Sequence, residues 1–292
     1  MESPSTGLGQ APRLRSRKWA GNTGHDARQA LRLYFKFIRI AIRSRMEYRS
    51  DFLFGVAGVL LLNFTNLSLV WVLVDRFRSL GSWVYWEIVM LYAMWLLSHS
   101  VYAVFFWHLS TLEEDILHGR FDQYLVRPCS PLLQFLGREV NYMGVGDVVF
   151  ATAAFGLAYR NLGLDWGVGQ WAFLGVALTS GLVIETSIAW IMGALSFWTG
   201  RSRALFWVSM NFNMLTQQYP MDIFGKWFRV FLTSFLPVAF MNYYPLTVLL
   251  GKPNALGVPE LGFLSPLAAG LLFALGALVW RRGLMVYSSS GS

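Results

Sequence analysis

The chain contains 292 residues, of which 55% are hydrophobic, 16% aromatic and only 14% charged. Several uncharged runs approach twenty residues, which an ordinary soluble core does not require. The composition therefore predicts a membrane protein with several spanning helices and excludes an ordinary soluble domain. The formal net charge of +8 comes mainly from the first fifty residues, which hold eleven Lys and Arg before a long apolar run. This position favours anionic lipid, not nucleic acid, as the partner of the basic residues.

The region before the first apolar run has two parts. Residues 1–25 are polar and basic, and we expect a flexible cytoplasmic tail. Asp26–Arg45 has the periodicity of an amphipathic helix, with basic residues recurring every three or four positions. These residues are Arg28, Arg32, Lys36, Arg39 and Arg43. We interpret the segment as a helix lying in the plane of the cytoplasmic leaflet; the alternative is a basic segment that only orients the first span.

Six apolar runs are long enough to cross a membrane, because a hydrocarbon core of about 30 Å needs about 20 helical residues. The runs are 52–74, 88–107, 140–159, 172–198, 204–221 and 261–280. The segment 230–250 is also apolar, but it contains Pro237 and Pro245, which interrupt a helix. We therefore predict an all-α membrane protein of six spans, with a re-entrant or interfacial segment before the last one.

The distribution of basic residues supports this count. With six spans and a cytoplasmic amino terminus, eighteen of the 24 Lys and Arg lie on the inner side. A seventh span would move Arg281 and Arg282 to the outside. We accordingly predict a transmembrane domain over 26–282 and a short cytoplasmic tail over 283–292. Both termini are then cytoplasmic, and the expected location is the cell inner membrane.

The loop between the second and third predicted spans carries a short helix signal. Thr111 and Glu114 have capping-box spacing, and Glu113 and Asp115 add negative charge to the first turn, where the helix dipole favours it. Gly119 suits the position just after the helix. A short helix held between two spans can transmit a push from a partner protein to both. The alternative is a well-capped, solvated connector.

Charged and polar residues inside apolar runs are functional candidates, because a charge in the bilayer is costly. Asp147 and Glu185 lie in the third and fourth predicted spans, and His99 lies in the second. Structural pairing and contact with a cationic substrate are both open for them. The fifth span has a polar stripe formed by Asn211, Asn213, Thr216, Gln217 and Gln218. These residues either bond to neighbouring helices or line a path.

The segment Tyr219–Tyr244 predicts two short aromatic helices around Pro237 at the outer end of the bundle. Lys226 and Arg229 are expected to reach the outer headgroups from this segment. The candidate gate residues are Trp227, Phe228, Phe231 and Pro237. The segment acts either as an exit gate that opens or as a plug that stays closed.

Motifs for chemistry on the chain itself are missing. The phosphate-binding pattern G-x-x-x-x-G-K-[ST] does not occur, since Gly225-Lys226 and Gly251-Lys252 are not followed by Ser or Thr. H-E-x-x-H and G-x-S-x-G are also absent, and Cys129 has no second thiol. An intramembrane hydrolase using Asp147 and Glu185, or an ion- or proton-coupled carrier working through Glu185 alone, remain as alternative functions.

The loop also contains a family motif. Ile116, Gly119, Asp122, Tyr124, Leu125, Arg127 and Pro128 form the pattern I-x-x-G-x-x-D-x-Y-L-x-R-P. This pattern resembles the signature of type-2 ABC transporter permeases, specifically the stand-alone six-span subunits. Four later segments are similar to the same subgroup, namely Tyr219–Phe224, Leu236–Phe240, Asn242–Pro245 and Tyr287–Ser289.

The resemblance implies the transmembrane half of an ABC exporter that is not itself an enzyme and holds no cofactor. Two separate ATPase subunits would bind ATP and Mg²⁺, and a second permease, identical or related, would complete the path. The resemblance does not indicate the substrate. The aromatic density fits an amphipathic, lipid-like or drug-like one, although aromatic belts at the membrane interfaces account for most of these residues. The resemblance implies an elbow helix before the first span, a coupling helix in the loop and an extracellular hairpin. The residues expected to contact the ATPase are Glu113, Glu114, Asp115, Ile116, Gly119, Arg120, Asp122 and Arg127.

Overall fold

The computed structural model of the chain describes residues 49–77, 80–127 and 130–287. These residues form helices and turns, with an isolated β-bridge between Leu80 and Trp83. The helix predicted over Asp26–Arg45, the tail 1–25 and the residues Pro128 and Cys129 lie outside the described residues. The same holds for the last five residues of the chain, 288–292.

Each of the six apolar runs coincides with one long helix, and shorter helices lie between them. In chain order the α-helices are α1 (Arg49–Phe77), α2 (Tyr85–Phe105), α3 (Leu112–Leu117), α4 (Asp122–Leu125), α5 (Pro131–Leu136), α6 (Gly144–Asn161), α7 (Val168–Ala194), α8 (Ser196–Thr199), α9 (Arg203–Gln218), α10 (Lys226–Val230), α11 (Tyr243–Leu249) and α12 (Ser265–Val286). The prediction of an all-α membrane fold is confirmed for the described residues.

Among the described residues, four helical segments are long and apolar enough to cross a membrane. They are Phe52–Arg76, Tyr85–Phe105, Val168–Thr199 and Pro259–Val286. Helix α9 has 16 residues and rises about 24 Å, short of the hydrocarbon thickness. Helix α6 carries Asp147 near its start and Arg160 near its end, which lowers its hydropathy. The count of six spans therefore stays a prediction.

Helix α2 lies at the centre of the bundle. In its most apolar stretch 72% of the residues are buried, compared with 17% for α1 and 22% for α12. It packs mainly against α6 and α7, while α12 packs against α7 and α1 against α6. Since α1 and α12 lie at the edge, their outer faces expose apolar side chains such as Phe54, Leu62, Leu271 and Phe273. Lipid or another subunit must cover these faces.

The capping-box prediction for the start of the loop after α2 is wrong. The Thr111 hydroxyl donates to the carbonyl oxygen of His108 and makes no cap to α3. The physical reason is that residues Trp107–Thr111 form a 3₁₀ helix that runs directly into α3. The preceding carbonyl groups thus accept the first amide hydrogens of α3. At the other end, Gly119 has φ +67° just after the helix, as predicted.

The segment between α9 and α12 is broken into short helices. Two of them are the π-helical turn Phe231–Phe235 and the 3₁₀ turn Val238–Phe240, with Pro237 between them. The seven-residue α11 is the longest helix of this hairpin segment. A continuous span over 230–250 is therefore not formed. The location of the segment on the extracellular side stays a prediction.

Candidate functional site

The loop helix α3 is bonded to the start of α9. One carboxylate oxygen of Glu113 accepts the backbone amide of Ser202 at 2.5 Å and that of Arg203. The neighbouring Glu114 forms an ion pair with the Arg203 guanidinium. The first amides of a helix have no partner within the helix, so an outside carboxylate satisfies them and complements the helix dipole. The two acids therefore connect the loop to α9.

A second ion cluster holds the loop together from inside. The carboxylate of Asp115 is 1% exposed and accepts from Arg120 Nε at 2.8 Å and from the Arg138 guanidinium. Asp122 accepts from the Tyr287 hydroxyl, at 2.8 Å between Oδ1 and the phenolic oxygen. Burial, together with this bond to Asp122, raises the pKa of Tyr287. The loop is thus tied to the carboxyl-terminal end of α12 as well as to α9.

These bonds divide the residues predicted to contact an ATPase. Asp115 and Ile116 are buried, and Glu113 lies against α9. Arg120 and Arg127 are exposed. Three exposed apolar residues of the loop were not predicted, and they are Leu117, Leu125 and Val126. Their signal in the sequence is the presence of apolar side chains in a short charged loop.

A polar cluster in the middle of the bundle joins α2, α7 and α9 through Glu185. This carboxylate is 2% exposed, and its Oε1 lies 2.6 Å from His99 Nδ1 and 3.1 Å from Asn213 Nδ2. The indole nitrogen of Trp95 donates to Asn213 Oδ1 at 2.7 Å, which fixes the amide orientation. The Trp95 and His99 rings are stacked with centroids 4.3 Å apart. Among the described residues, the other oxygen of Glu185 has no hydrogen-bond partner.

Asp147 belongs to a separate cluster. Asn63 Nδ2 donates to Asp147 Oδ1 at 2.7 Å, and the Tyr92 hydroxyl donates to Asn63 Oδ1 at 2.5 Å. These bonds join α1, α2 and α6. Asn63 was not predicted as a site residue, although an amide in an apolar run is the signal that marks it. Asp147 and Glu185 therefore belong to different hydrogen-bond clusters, although they lie near enough to interact electrostatically.

The polar stripe of α9 is split between two faces. Asn213 and Gln217 are buried within the bundle. Asn211 and Gln218 line an open groove of about 350 Å³ on the face of α9 that points away from the bundle. The apolar lining of the groove consists of Val208, Phe212, Met214 and Leu215. Polar groups on an outward face are poorly matched to lipid, so this face suits another subunit or a wet path.

In the hairpin segment, the prediction that Arg229 reaches outer headgroups is wrong. Its guanidinium donates to the carbonyl oxygens of Phe224, Asp222 and Ala255 at 2.6, 2.5 and 2.9 Å. The physical reason is that the broken backbone leaves carbonyl groups without helical partners, and the arginine satisfies them. Arg229 therefore stabilises the folded segment from within.

The carboxylate of Asp222 adds a second set of bonds to the hairpin. Trp83 Nε1 donates to Asp222 Oδ2 at 2.6 Å, and the Tyr243 hydroxyl donates to the same oxygen at 3.0 Å. Trp83 lies before α2, so these bonds fasten the hairpin to the start of the central helix. Neither Asp222 nor Trp83 was predicted as a site residue.

The predicted gate residues occupy different environments. Trp227 is 89% exposed, whereas the partly buried rings of Phe228 and Phe231 pack against the core. These two rings are stacked, with centroids 6.2 Å apart. Pro237 lies where the π-helical turn ends and the following 3₁₀ turn begins.

The apolar helices of spanning length and the buried intramembrane charges define a multi-helix membrane protein. A family model described as ABC-2 family transporter protein matches residues 60–291, and the chain belongs to this family. It is thus an ABC transporter permease, as the motif beginning at Ile116 indicated. Neither the curated proteins nor the solved structures contain a match to the chain.

Proposed function

We propose that the chain is the transmembrane permease subunit of an ABC exporter and that separate ATPase subunits supply the energy. The observation that carries this proposal is the braced loop of α3 to α5. It is bonded to α9 through Glu113 and to the end of α12 through Asp122. A force applied to this loop therefore acts on both helices. Membership of the transporter family supports the assignment.

The ATPase contact is proposed for the exposed side of the loop, with Leu117, Val126, Arg120 and Arg127 as its main residues. Apolar side chains at the centre and arginines around them are typical of protein interfaces. Asp115 and Arg138 act behind this surface by holding it in place, whereas Glu113 faces α9. ATP and Mg²⁺ are bound by the two ATPase subunits, and the chain holds no cofactor.

A second permease subunit, identical or related, is proposed to cover part of the exposed apolar surface. The groove beside Asn211 and Gln218 then lies along a path for an amphipathic, lipid-like or drug-like substrate. Trp227, Phe228 and the Pro237 break form the outer gate of that path. The protein lies in the cell inner membrane with both termini in the cytoplasm.

A second candidate function is an ion- or proton-coupled carrier that acts without an ATPase. The buried pair of Glu185 and His99 favours it, because a carboxylate and an imidazole can share a proton. Such a carrier needs no docking surface on the loop. Substitution of the exposed Val126 would then leave transport unchanged.

The test is to purify the tagged chain from native membranes with the ATPase that accompanies it, and to measure ATP-driven transport in vesicles. Val126→Asp places a charge on an exposed apolar residue of the loop and should lower ATPase binding by about tenfold or more. Val168→Asp is the matched control, since Val126 and Val168 are 83% and 88% exposed. Equal effects of both variants, or transport under a proton gradient without ATP, would contradict the proposal.

A further inference from the structure

The start of α9 is capped from a distant part of the chain. The Ser202 side chain, which occupies the capping position, makes no cap bond. Glu113 accepts the backbone amides of Ser202 and Arg203 instead, across a separation of 89 positions from Glu113 to Ser202. A helix start normally takes its acceptor from the adjacent residue. Here the acceptor belongs to the loop helix α3.

The loop side of this bond is held firmly. Helix α3 continues from the 3₁₀ turn Trp107–Thr111, which packs closely against α7. A Cβ atom placed on Gly193 of α7 would lie 2.9 Å from the Leu109 carbonyl oxygen, which is closer than an ordinary contact. Asp115 and Arg138 fasten the next turn of the loop. Because the loop deforms little, a displacement of the loop displaces Glu113 by a similar distance.

The other side of the bond leads into the bundle. Helix α9 carries Asn213, which donates to the buried Glu185 of α7. It also carries Asn211 and Gln218 on its groove face. A displacement of the amino-terminal end of α9 along its axis is transmitted to these residues, because helical hydrogen bonds make sixteen residues a stiff rod.

We propose that Glu113 is a positioning residue that makes α3 and α9 move as one body, so that motion of the docked ATPase reaches the groove and the Glu185 cluster. The inference rests on the proposed function and deepens it, since it names the connection between the loop and the path. Glu114 and Arg203 reinforce this connection with an exposed ion pair.

Loss of the carboxylate should uncouple the two activities. The purified complex is reconstituted in vesicles with a fluorescent phospholipid as the transported probe. Glu113→Ala should keep ATP hydrolysis within about twofold of the unmodified protein and lower the probe moved per ATP by about five- to tenfold. Glu113→Gln keeps an acceptor oxygen and should retain most of the coupling. Asp165→Ala is the control, because it removes an exposed carboxylate that lies outside the loop. A parallel fall of hydrolysis and transport, or no change in either, would overturn the inference.

A distance measurement separates positioning from simple stabilisation. Spin labels at the exposed residues His118 and Arg201 report the separation of the loop from the start of α9. In the unmodified complex this distance should be the same without nucleotide and with ATP, and in Glu113→Ala it should change with nucleotide. A change in the unmodified complex would refute the single-body movement. Failure of the unmodified complex to transport with ATP would instead refute the proposed function. The two outcomes can be distinguished because the distance between the labels is measured independently of transport.

Discussion

Replacing Gly144 by alanine should destabilise the contact between α2 and α6. An added Cβ would lie 2.7 Å from Val104 Cγ2 and 2.9 Å from the Ser100 carbonyl oxygen. The oxygen belongs to the backbone of the central helix and cannot rotate away. Overpacking of this kind costs about 1–3 kcal/mol. The two helices would have to separate where Gly144 meets α2.

Gly156 is the matched control, because it lies on the same helix and an added Cβ meets nothing within 4 Å. Gly156→Ala should be neutral or should stabilise by about 0.5–1 kcal/mol through helix propensity. The two variants are thus separated by roughly 1–4 kcal/mol. Thermal unfolding in one detergent should show this as a difference of several degrees. Equal melting temperatures would refute the close approach of α6 to Ser100.

Burial and the nearby Arg138 lower the pKa of the loop residue His108 to about 3, so the folded protein resists a proton that the unfolded chain accepts below about pH 6.5. The contribution of His108 to the free energy of unfolding should be fully present above about pH 6.5 and should fall as the pH drops towards 3. His108→Leu should make the melting temperature less dependent on pH in this range. An unchanged slope of melting temperature against pH in the variant would contradict the prediction. Glu185→Gln keeps an acceptor for His99 and Asn213 and should retain ATP-driven transport. Glu185→Ala leaves both donors buried without a hydrogen-bond partner, which should lower the free energy of unfolding by about 1–3 kcal/mol for each donor. Thermal unfolding and vesicle transport check this; loss of transport in a stable Glu185→Gln protein would favour the carrier.

The long helices could be predicted from the sequence because spanning length and apolar composition are local properties. Each of the six runs coincides with a helix, and Pro237 marks the break in the hairpin. Gly119 was identified by the same local reasoning, since a positive φ after a helix favours glycine. The family motif beginning at Ile116 is likewise contained in thirteen consecutive residues.

The partners of the polar residues could not be predicted, because they depend on which helices pack together. Arg229 was expected at the membrane surface, and the folded hairpin bonds it to three carbonyl groups. Thr111 was expected to cap α3, and the preceding 3₁₀ helix made that cap unnecessary. Spacing along the chain contains no information on either contact.

The sequence by itself determined that the chain is a helical membrane protein of the permease type, because hydrophobic length and a contiguous motif are written in neighbouring residues. Only the tertiary structure decided that Glu113 bonds to the start of α9, that Asp115 is buried, and that Glu185 and Asp147 lie in separate clusters. Side chains far apart in sequence meet only when helices pack, and the small residues Gly144 and Gly193 set how closely they pack.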